Sequence, residues 1–150
     1  MYYKQIMDYS NIVRHYVENI KGSPEYNSPK PVKDMDLLLP EFKDKLDNCF
    51  TEYSEKYPGE EVYITETYRS NELQQKYFNQ GSSKIRQNGM HHYGIAADVA
   101  FLIDGKFSYR GDYTFLRKLF KRAGLTVLSW ELGHVQFIPV ENQKDLWSQV

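Results

Sequence analysis

The sequence predicts an α+β fold in which helices flank a small, mainly antiparallel sheet. Apolar residues recur at helical spacing in several segments of the chain. Short β-branched and aromatic runs lie between these segments, and turns rich in Gly and Pro separate them. With 150 residues the chain is long enough to bury one core, so we expect a single compact domain overall.

The composition excludes several classes of protein. Hydrophobic residues make up 41% of the chain and charged residues 26%, which is typical of a soluble globular protein. The formal net charge of −1 argues against a nucleic-acid partner. No run of eighteen apolar residues occurs, so no membrane span is expected. Cys49 is the single cysteine, which excludes a disulfide within the chain, and we expect it to pack as a small hydrophobic residue.

Residues 1–35 are predicted to form an N-terminal helix and a linker ahead of the main domain at residues 36–150. Apolar side chains over residues 4–21 follow one helical face, and Gly22 and Pro24 end this helix. His15 is expected either to pack against a helix or to face solvent. Three prolines within residues 22–34 indicate a linker that runs over the surface.

The next elements are a helix, a strand and a second helix. Residues 40–57 begin with a proline, which suits a first helical turn, and carry an apolar stripe. Residues 61–68 are β-branched and aromatic, which predicts a strand. Ser70 is the expected N-cap of a helix over residues 71–79, which Gly81 ends.

The second half of the chain is predicted to complete the sheet. The predicted elements are a loop over 82–90, a strand over 95–102, a helix over 113–123, strands over 125–129 and 134–138, and a helical tail over 141–150. Asp104 and Gly105 are typical of a tight turn, so a short hairpin should follow the first of these strands. Gly124 suits the position just beyond a helix end.

Three of the four histidines fall in two short segments that also contain acidic residues. A catalytic zinc takes three protein ligands and keeps one position open for water. His91, Asp98 and His134 would supply two imidazoles and one carboxylate, which suit Zn²⁺. Residues seven apart on a straight strand face opposite ways, so His91 and Asp98 need a bend, which Gly94 can provide. His134 would come from a neighbouring strand, with Gln136 on the same side.

Glu131 and Arg69 are the candidate catalytic residues. Glu131 precedes His134 by three residues, where its carboxylate could take a proton from water on the metal. Arg69 follows a predicted strand and suits binding of a carboxylate or carbonyl of a peptide. The metal site and the role of Arg69 each have a structural alternative. The spacing of histidines and aspartate in the metal site also arises by chance, and an arginine commonly forms a surface ion pair.

Several motifs occur in the order and spacing of a known family. The positions that carry the resemblance are Tyr68-Arg69-Ser70, Gln74, Tyr77-Phe78, Gly81, His91-x-x-Gly94-x-Ala96-x-Asp98 and Trp130-Glu131-x-x-His134. Over about residues 60–138 the chain resembles the zinc D-alanyl-D-alanine carboxypeptidase and L-alanyl-D-glutamate endopeptidase family. Phage endolysins and vancomycin-resistance D,D-peptidases belong to this family, and the resemblance implies a hedgehog/D,D-peptidase-like fold.

The resemblance also implies a role for each site residue. His91, Asp98 and His134 would bind Zn²⁺, and Glu131 would be the general base. Arg69 would bind the substrate carbonyl and stabilise the charge that develops on it, an electrostatic role that suits a guanidinium.

Three further residues are expected to contact or support the substrate. Gln74 matches the family's glutamine and would support Arg69. His92 holds a variable position, so we expect it at the rim of the site rather than on the metal. Ser83 is the nearest candidate for the family's polar loop residue. The chain departs from the family at Gly89, where the family has serine, and residues 1–35 have no counterpart in it.

The sequence therefore predicts a zinc metallopeptidase that hydrolyses an amide bond in the peptide stems of bacterial peptidoglycan. Cleavage of D-Ala–D-Ala and of L-Ala–D-Glu are both open, and the alternative is a non-catalytic, metal-containing binding module of the same fold. The N-terminus lacks a signal-peptide pattern. We therefore expect a protein made in the cytoplasm that acts at the cell wall after release, as a phage-encoded endolysin does. Its oligomeric state is open.

Overall fold

A computed structural model describes residues 5–150, which form five α-helices and five strands. The α-helices are α1 Ser10–His15, α2 Pro40–Lys56, α3 Asn71–Asn79, α4 Tyr113–Arg122 and α5 Gln143–Trp147. The strands are β1 Glu60–Glu66, β2 Ala96–Ile103, β3 Lys106–Ser108, β4 Thr126–Leu128 and β5 Glu131–Gln136. A π-helical segment, Tyr16–Ile20, continues α1, and short 3₁₀ turns lie at Met35–Leu37, Met90–Tyr93 and Val140–Asn142.

The strands form one sheet, and every pair in it is antiparallel. The strand order is β1-β2-β5-β4, and β3 pairs with the far half of β2. Side chains alternate between the two faces of a strand. Phe101 of β2 packs on Tyr53 of α2, with ring centroids 5.1 Å apart, so Asp98, three residues earlier, faces the other side. The predicted α+β class is confirmed, with the core between the sheet and the helices α2 and α4.

Local sequence signals locate most helix ends correctly. Ser70 accepts a hydrogen bond from the Leu73 N–H and is the N-cap of α3, as predicted. Gly124 has a φ of 82° just beyond the end of α4.

Cys49 is buried in α2, and burial raises the pKa of its thiol to about 11. No helix within residues 5–150 combines the length and the apolar character that crossing a membrane requires.

Two strands differ from their predicted limits by more than one residue. β1 ends at Glu66 rather than at residue 68, because the Thr67 N–H donates to the Val32 carbonyl at 2.6 Å instead of to a strand. β5 begins at Glu131, three residues before its predicted start. Both differences depend on partners that are distant in sequence, so strand propensity cannot locate them.

The first helix is shorter than predicted, and it is packed into the core. It begins at Ser10, and the predicted start at residue 4 lies outside the described residues. Ile6, expected on the buried face, is 62% exposed, whereas Ile12 and Ile20 are fully buried. His15 is buried as well, and its Nε2 lies 2.9 Å from the Leu37 carbonyl. The helix-packing alternative for this histidine is therefore the correct one.

Gly94 is predicted to be essential for stability, because no larger residue fits its position. Its φ is 72°, and an added Cβ would lie 2.4 Å from the Leu37 carbonyl oxygen and 3.0 Å from Ile20 Cδ1. The left-handed conformation costs a residue with a Cβ roughly 1–2 kcal/mol, and overpacking adds a comparable amount. We expect Gly94→Ala to lower the free energy of unfolding by about 3 kcal/mol, as measured by urea unfolding.

Gly81→Ala is the matched control for this prediction. Gly81 has a φ of 77°, but nothing lies within 4 Å of an added Cβ. Gly81→Ala should therefore lower the free energy of unfolding only by the cost of the left-handed conformation, about 1–2 kcal/mol. Equal losses at the two positions would show that the close approach of Leu37 to Gly94 contributes nothing.

Candidate metal centre

Three strands place a row of polar side chains on the face of the sheet opposite α2. β2 pairs with β5 so that Asp98 lies directly opposite His134. β1 pairs with β2 so that Glu66 lies opposite Asp98, after a shift of register between Ile64 and Glu66. Directly opposed residues of antiparallel strands share a face. Glu66, Asp98 and His134 therefore form one row across three strands.

His91 reaches this row from a turn rather than from a strand. It lies in the 3₁₀ turn Met90–Tyr93, after which Gly94 takes a left-handed conformation and the chain enters β2. This is the bend that the sequence requires between His91 and Asp98. Ligand atoms of His91, Asp98 and His134 all lie within 4.8 Å of one another. We call these three residues the donor cluster.

A backbone carbonyl determines which nitrogen of His91 faces the donor cluster. The Nδ1–H of His91 donates to the Thr67 carbonyl at 2.7 Å. The lone pair of Nε2 therefore points to Asp98, whose Oδ1 is 3.3 Å away. A hydrogen bond of this kind from the outer nitrogen is the usual support of a metal-binding histidine.

The side-chain amide of Gln136 determines which nitrogen of His134 faces the donor cluster. The amide N–H groups of Gln136 donate to the Ile138 carbonyl at 2.8 Å and to Gln143 Oε1 at 3.0 Å. The amide oxygen of Gln136 is thus left to accept a hydrogen bond from His134 Nε2 at 2.9 Å. His134 keeps the lone pair of Nδ1 on the side of Asp98, 3.1 Å from Oδ1.

The donor cluster fits a tetrahedral metal ion. Atoms that bind zinc at 2.0–2.2 Å lie about 3.4 Å apart in a tetrahedron, close to the 3.1 and 3.3 Å found between Asp98 and the two imidazoles. His91 Nε2 is buried and has no hydrogen-bond partner within residues 5–150. Because a buried polar atom normally has a partner, this nitrogen is suited to binding a cation. Two imidazoles and one carboxylate are also the donor types that zinc accepts.

The histidines and the carboxylate of the donor cluster shift one another's pKa. Burial alone would raise the pKa of Asp98, but His91 and His134 outweigh burial and hold it well below its ordinary value. Burial would lower the pKa of His91, and the negative charge of Asp98 reverses this effect, so the pKa of His91 is raised. The centre therefore contains an ionised carboxylate, which favours a bound cation.

Arg69 lies beside the donor cluster and is anchored by Glu66. Its Nε donates to both carboxylate oxygens of Glu66, at 3.1 and 3.2 Å, and its Nη2 donates to the same carboxylate. Its Nη1 donates to Gln74 Oε1 at 3.1 Å, and Nη2 is 3.5 Å from Asp98 Oδ2. The Tyr77 ring packs against the guanidinium, with 4.7 Å from Cζ to the ring centroid. Among the described residues, one N–H of Nη1 has no acceptor.

Glu131 lies on a cleft next to the donor cluster. In the β4–β5 pair, Val127 is opposite Val135 but Leu128 is opposite Glu131, and this irregular pairing turns Glu131 toward His134. Glu131 Oε2 is 3.7 Å from His134 Nδ1, and the Glu131 side chain is 52% exposed. The cleft has a volume of about 350 Å³ and is lined by Thr65, Asp98, Val99, Tyr109, Tyr113, Glu131, Leu132, Gly133 and His134.

His92 is predicted at the rim of the site, and this prediction is wrong. The residue is only 2% exposed, and burial lowers the pKa of its imidazole to about 4. In the tight turn His91 points to Asp98, whereas the neighbouring His92 points into the N-terminal segment. There its Nε2 lies 2.8 Å from the Tyr16 hydroxyl.

Gln74 and Ser83 form a short chain of hydrogen bonds behind Arg69. The amide nitrogen of Gln74 donates to Ser83 Oγ at 2.9 Å and to the Ile85 carbonyl at 2.7 Å. Ser83 thus contacts the support of Arg69 and is not among the residues that line the cleft. A Cβ on Gly89 would lie 3.1 Å from Gln74 Oε1, so a serine at this position would meet the same amide.

Two residues of the site were missed by sequence reasoning. Glu66 is 5% exposed and anchors Arg69, and Thr67 provides the carbonyl that orients His91. A signal exists for Glu66, because it is a carboxylate at the end of a strand, three residues before Arg69. No comparable signal exists for Thr67, since its contribution to His91 comes from the backbone.

No protein-family model and no curated protein matches the sequence. Solved structures do match the fold. The L,D-carboxypeptidase DacB from Streptococcus pneumoniae aligns with a TM-score of 0.51 and 21% identity, over 85% of this chain and 77% of that one. VanYB in complex with D-alanine-D-alanine aligns with a TM-score of 0.51 and 16% identity, over 85% and 87% of the two chains.

A mutant of the vancomycin resistance D,D-pentapeptidase VanY in complex with Zn(II) aligns equally well. Its TM-score is 0.51 and its identity 18%, over 85% of this chain and 88% of that one. The chain therefore has the fold of these carboxypeptidases and D,D-peptidases, and the predicted D,D-peptidase-like architecture is confirmed.

Proposed function

We propose that this chain is a zinc-dependent metallopeptidase that hydrolyses an amide bond in the peptide stems of bacterial peptidoglycan. The donor cluster, with its unpartnered His91 nitrogen, carries the proposal. Glu131 on the adjacent cleft adds a candidate base. The shared fold supports the proposal, because one of the aligned structures contains Zn(II) and another D-alanine-D-alanine.

His91 Nε2, an oxygen of Asp98 and His134 Nδ1 are proposed to hold the zinc. When bound, zinc would polarise a carbonyl oxygen and lower the pKa of a water molecule. Thr67 and Gln136 accept hydrogen bonds from the outer nitrogens of the two imidazoles, so the inner nitrogens are directed at one point. Neutral imidazoles with fixed tautomers are the form that binds metal.

Glu131 is the proposed general base. Its carboxylate is close to His134 yet about half exposed, so water in the cleft can reach it. It would accept a proton from the attacking water and return one to the leaving amine.

Gly133 allows β5 to approach β2 closely beside Glu131, because a Cβ on Gly133 would lie 2.6 Å from the Val99 carbonyl oxygen.

Arg69 is the proposed donor to the substrate. Glu66 and Gln74 fix its guanidinium, so the N–H groups next to Asp98 are held in place before substrate binds. Donors fixed in advance stabilise the negative charge that develops on a carbonyl oxygen during attack. Lysine could not replace Arg69, because it cannot form this planar set of hydrogen bonds.

Mass spectrometry of fragments released from purified peptidoglycan tests the proposed function and identifies the bond. Release of free D-alanine from stems that end in D-Ala–D-Ala would identify a D-Ala–D-Ala carboxypeptidase, and a new amino terminus on D-glutamate would identify an L-Ala–D-Glu endopeptidase. If the protein binds zinc but releases neither product, the proposed peptidase activity is wrong and a non-catalytic binding module is favoured.

Gln136→Leu is expected to weaken zinc binding about 10–100-fold, the usual effect of losing a residue that supports a metal ligand. Leucine has a similar size but cannot accept the hydrogen bond from His134 Nε2, so the tautomer with a free Nδ1 is no longer favoured. Competition with a zinc chelator of known affinity measures the change.

Gln143→Leu is the control for this prediction. Gln143 accepts one amide N–H of Gln136, but the bond from His134 remains when it is replaced. A much smaller loss of zinc affinity is expected. If Gln136→Leu binds zinc as tightly as the wild type, the proposed role of His134 Nδ1 is wrong.

A further inference from the structure

The proline-containing segment of residues 26–34, which we call the strap, lies along residues 67–70. Side chains and one backbone N–H of residues 67–70 donate hydrogen bonds to strap carbonyls. The accepting carbonyls are those of Tyr26, Ser28, Val32 and Asp34. The strap is therefore more than the surface linker that the sequence predicts, because its backbone is bonded to one specific segment of the main domain.

Thr67 makes the densest set of these contacts. Its N–H donates to the Val32 carbonyl at 2.6 Å, and its hydroxyl lies 2.8 Å from the Asp34 carbonyl and 3.1 Å from that of Val32. The carbonyl of the same residue accepts the Nδ1–H of His91 at 2.7 Å. One residue thus touches the strap on one side and a proposed metal ligand on the other.

Residues 67–70 are also bonded to the metal-binding turn through Arg69. The Arg69 N–H donates to the His91 carbonyl at 3.2 Å. The Arg69 carbonyl lies 3.3 Å from His92 Nδ1. The segment that carries Arg69 and the turn that carries His91 therefore form one hydrogen-bonded unit, to which the strap is bonded through residues 67–70.

A chain of hydroxyl groups connects the same unit to the N-terminal helix. Tyr68 has a single hydroxyl proton, which it donates to the strap carbonyl of Tyr26 at 2.6 Å. His92 Nδ1, 3.3 Å from the Tyr68 hydroxyl and from the Arg69 carbonyl, must then carry a proton. His92 Nε2 consequently accepts from Tyr16 at 2.8 Å, and Tyr16 accepts from the Tyr26 hydroxyl at 2.8 Å. Each hydroxyl in the chain has a defined donor direction.

We propose that the strap positions His91 and Arg69, through its hydrogen bonds to Thr67, Tyr68 and Ser70. Segment 26–34 would thus set zinc affinity and turnover, although it lies outside the part of the chain that carries the metal motifs. Pro29 and Pro31 suit this role, because proline restricts the backbone and reduces the entropy lost on ordering. The inference rests on the proposed function for the identity of the metal and of the reaction.

Thr67→Val and Thr67→Ser separate the hydrogen bond to the strap from packing. Valine keeps the shape of the side chain but removes the hydroxyl, whereas serine keeps the hydroxyl. We expect Thr67→Val to weaken zinc binding about 10-fold and to lower kcat with little change in KM. Thr67→Ser should keep most of the wild-type zinc affinity and most of the wild-type kcat. The visible absorption of the Co²⁺-substituted protein, which reports ligand geometry, should change in Thr67→Val alone.

Tyr53→Phe is the structural control. Tyr53 is fully buried, and its hydroxyl donates to Glu60 Oε1 at 2.9 Å and accepts from the Asp112 N–H at 2.9 Å, on the core face of the sheet. Its loss should lower Tm by about 2–4 °C without changing zinc affinity. If Thr67→Val lowers Tm in the same way but binds zinc and turns over like the wild type, the strap is only structural and the inference is wrong.

Tyr68→Phe repeats the test if Thr67→Val does not fold, since it removes only the hydroxyl that donates to the Tyr26 carbonyl. A smaller loss of zinc affinity in the same direction is expected, and unchanged affinity would contradict the inference. A wild-type protein that binds no zinc, or releases no peptidoglycan fragment, would instead overturn the proposed function. The two failures are therefore distinguishable.

Discussion

Glu131→Gln is expected to lower kcat on peptidoglycan by about 10²–10⁴-fold, the usual contribution of a general base. An amide has nearly the size of the carboxylate but cannot take up the proton of the attacking water. Zinc binding should survive, because Glu131 is not one of the three donors and its Oε2 is 3.7 Å from His134 Nδ1. Initial rates of amine release, with the zinc content of each sample measured, check both parts.

Glu61→Gln is the matched control for this substitution. Glu61 is exposed on β1 and makes the same change of charge away from the donor cluster. It should leave kcat within about twofold of the wild type, since surface substitutions have small effects. If Glu131→Gln retains as much activity as Glu61→Gln, Glu131 is not the general base.

Asp98→Asn is expected to weaken zinc binding by more than the roughly 100-fold that loss of a supporting residue causes. Asp98 is the one anionic donor, and it lies within 3.3 Å of both imidazoles. Asparagine would remove the negative charge that favours a divalent cation between them. Little activity should remain in the variant at zinc concentrations that saturate the wild type.

Thermal unfolding with and without zinc measures this effect independently of activity. A ligand at 100 times its Kd stabilises the folded state by about 2.7 kcal/mol. For a chain of this size, that corresponds to a rise in Tm of roughly 5–11 °C. The wild type and Asp47→Asn, an exposed change on α2, should show this rise, and Asp98→Asn should not. An equal rise in Asp98→Asn would show that zinc does not bind at the donor cluster.

Elements defined by local patterns were predictable from the sequence. The helix over Asn71–Asn79 has its N-cap at Ser70, because a hydroxyl at that position can satisfy a free backbone N–H. The turn at Asp104 and Gly105 has φ values of 51° and 78°, which Asp-Gly favours. The bend at Gly94 was predictable too, because two ligands seven apart on a strand cannot face the same point without it.

The position of Glu66 opposite Asp98 and the burial of His92 were not predictable, because they depend on register and on distant segments. Glu66 lies opposite Asp98 after the register shift that follows Ile64. A shift of one residue turns every side chain to the other face of a strand, and composition alone does not determine it. His92 shows the same limit, because Tyr16, one of the aromatic residues that pack around it, is 76 residues away in sequence.

The α+β class, the order of the elements and the chemical types of the three candidate donors follow from patterns in the sequence. Periodicity, turn residues and spacing are local properties, and a single chain displays them directly. The contacts between individual atoms follow from the folded structure instead. Strand register put Glu66, Asp98 and His134 in one row, the Thr67 carbonyl selected Nε2 of His91, and the amide of Gln136 selected Nδ1 of His134. These choices depend on hydrogen bonds whose geometry forms only when segments distant in sequence pack together.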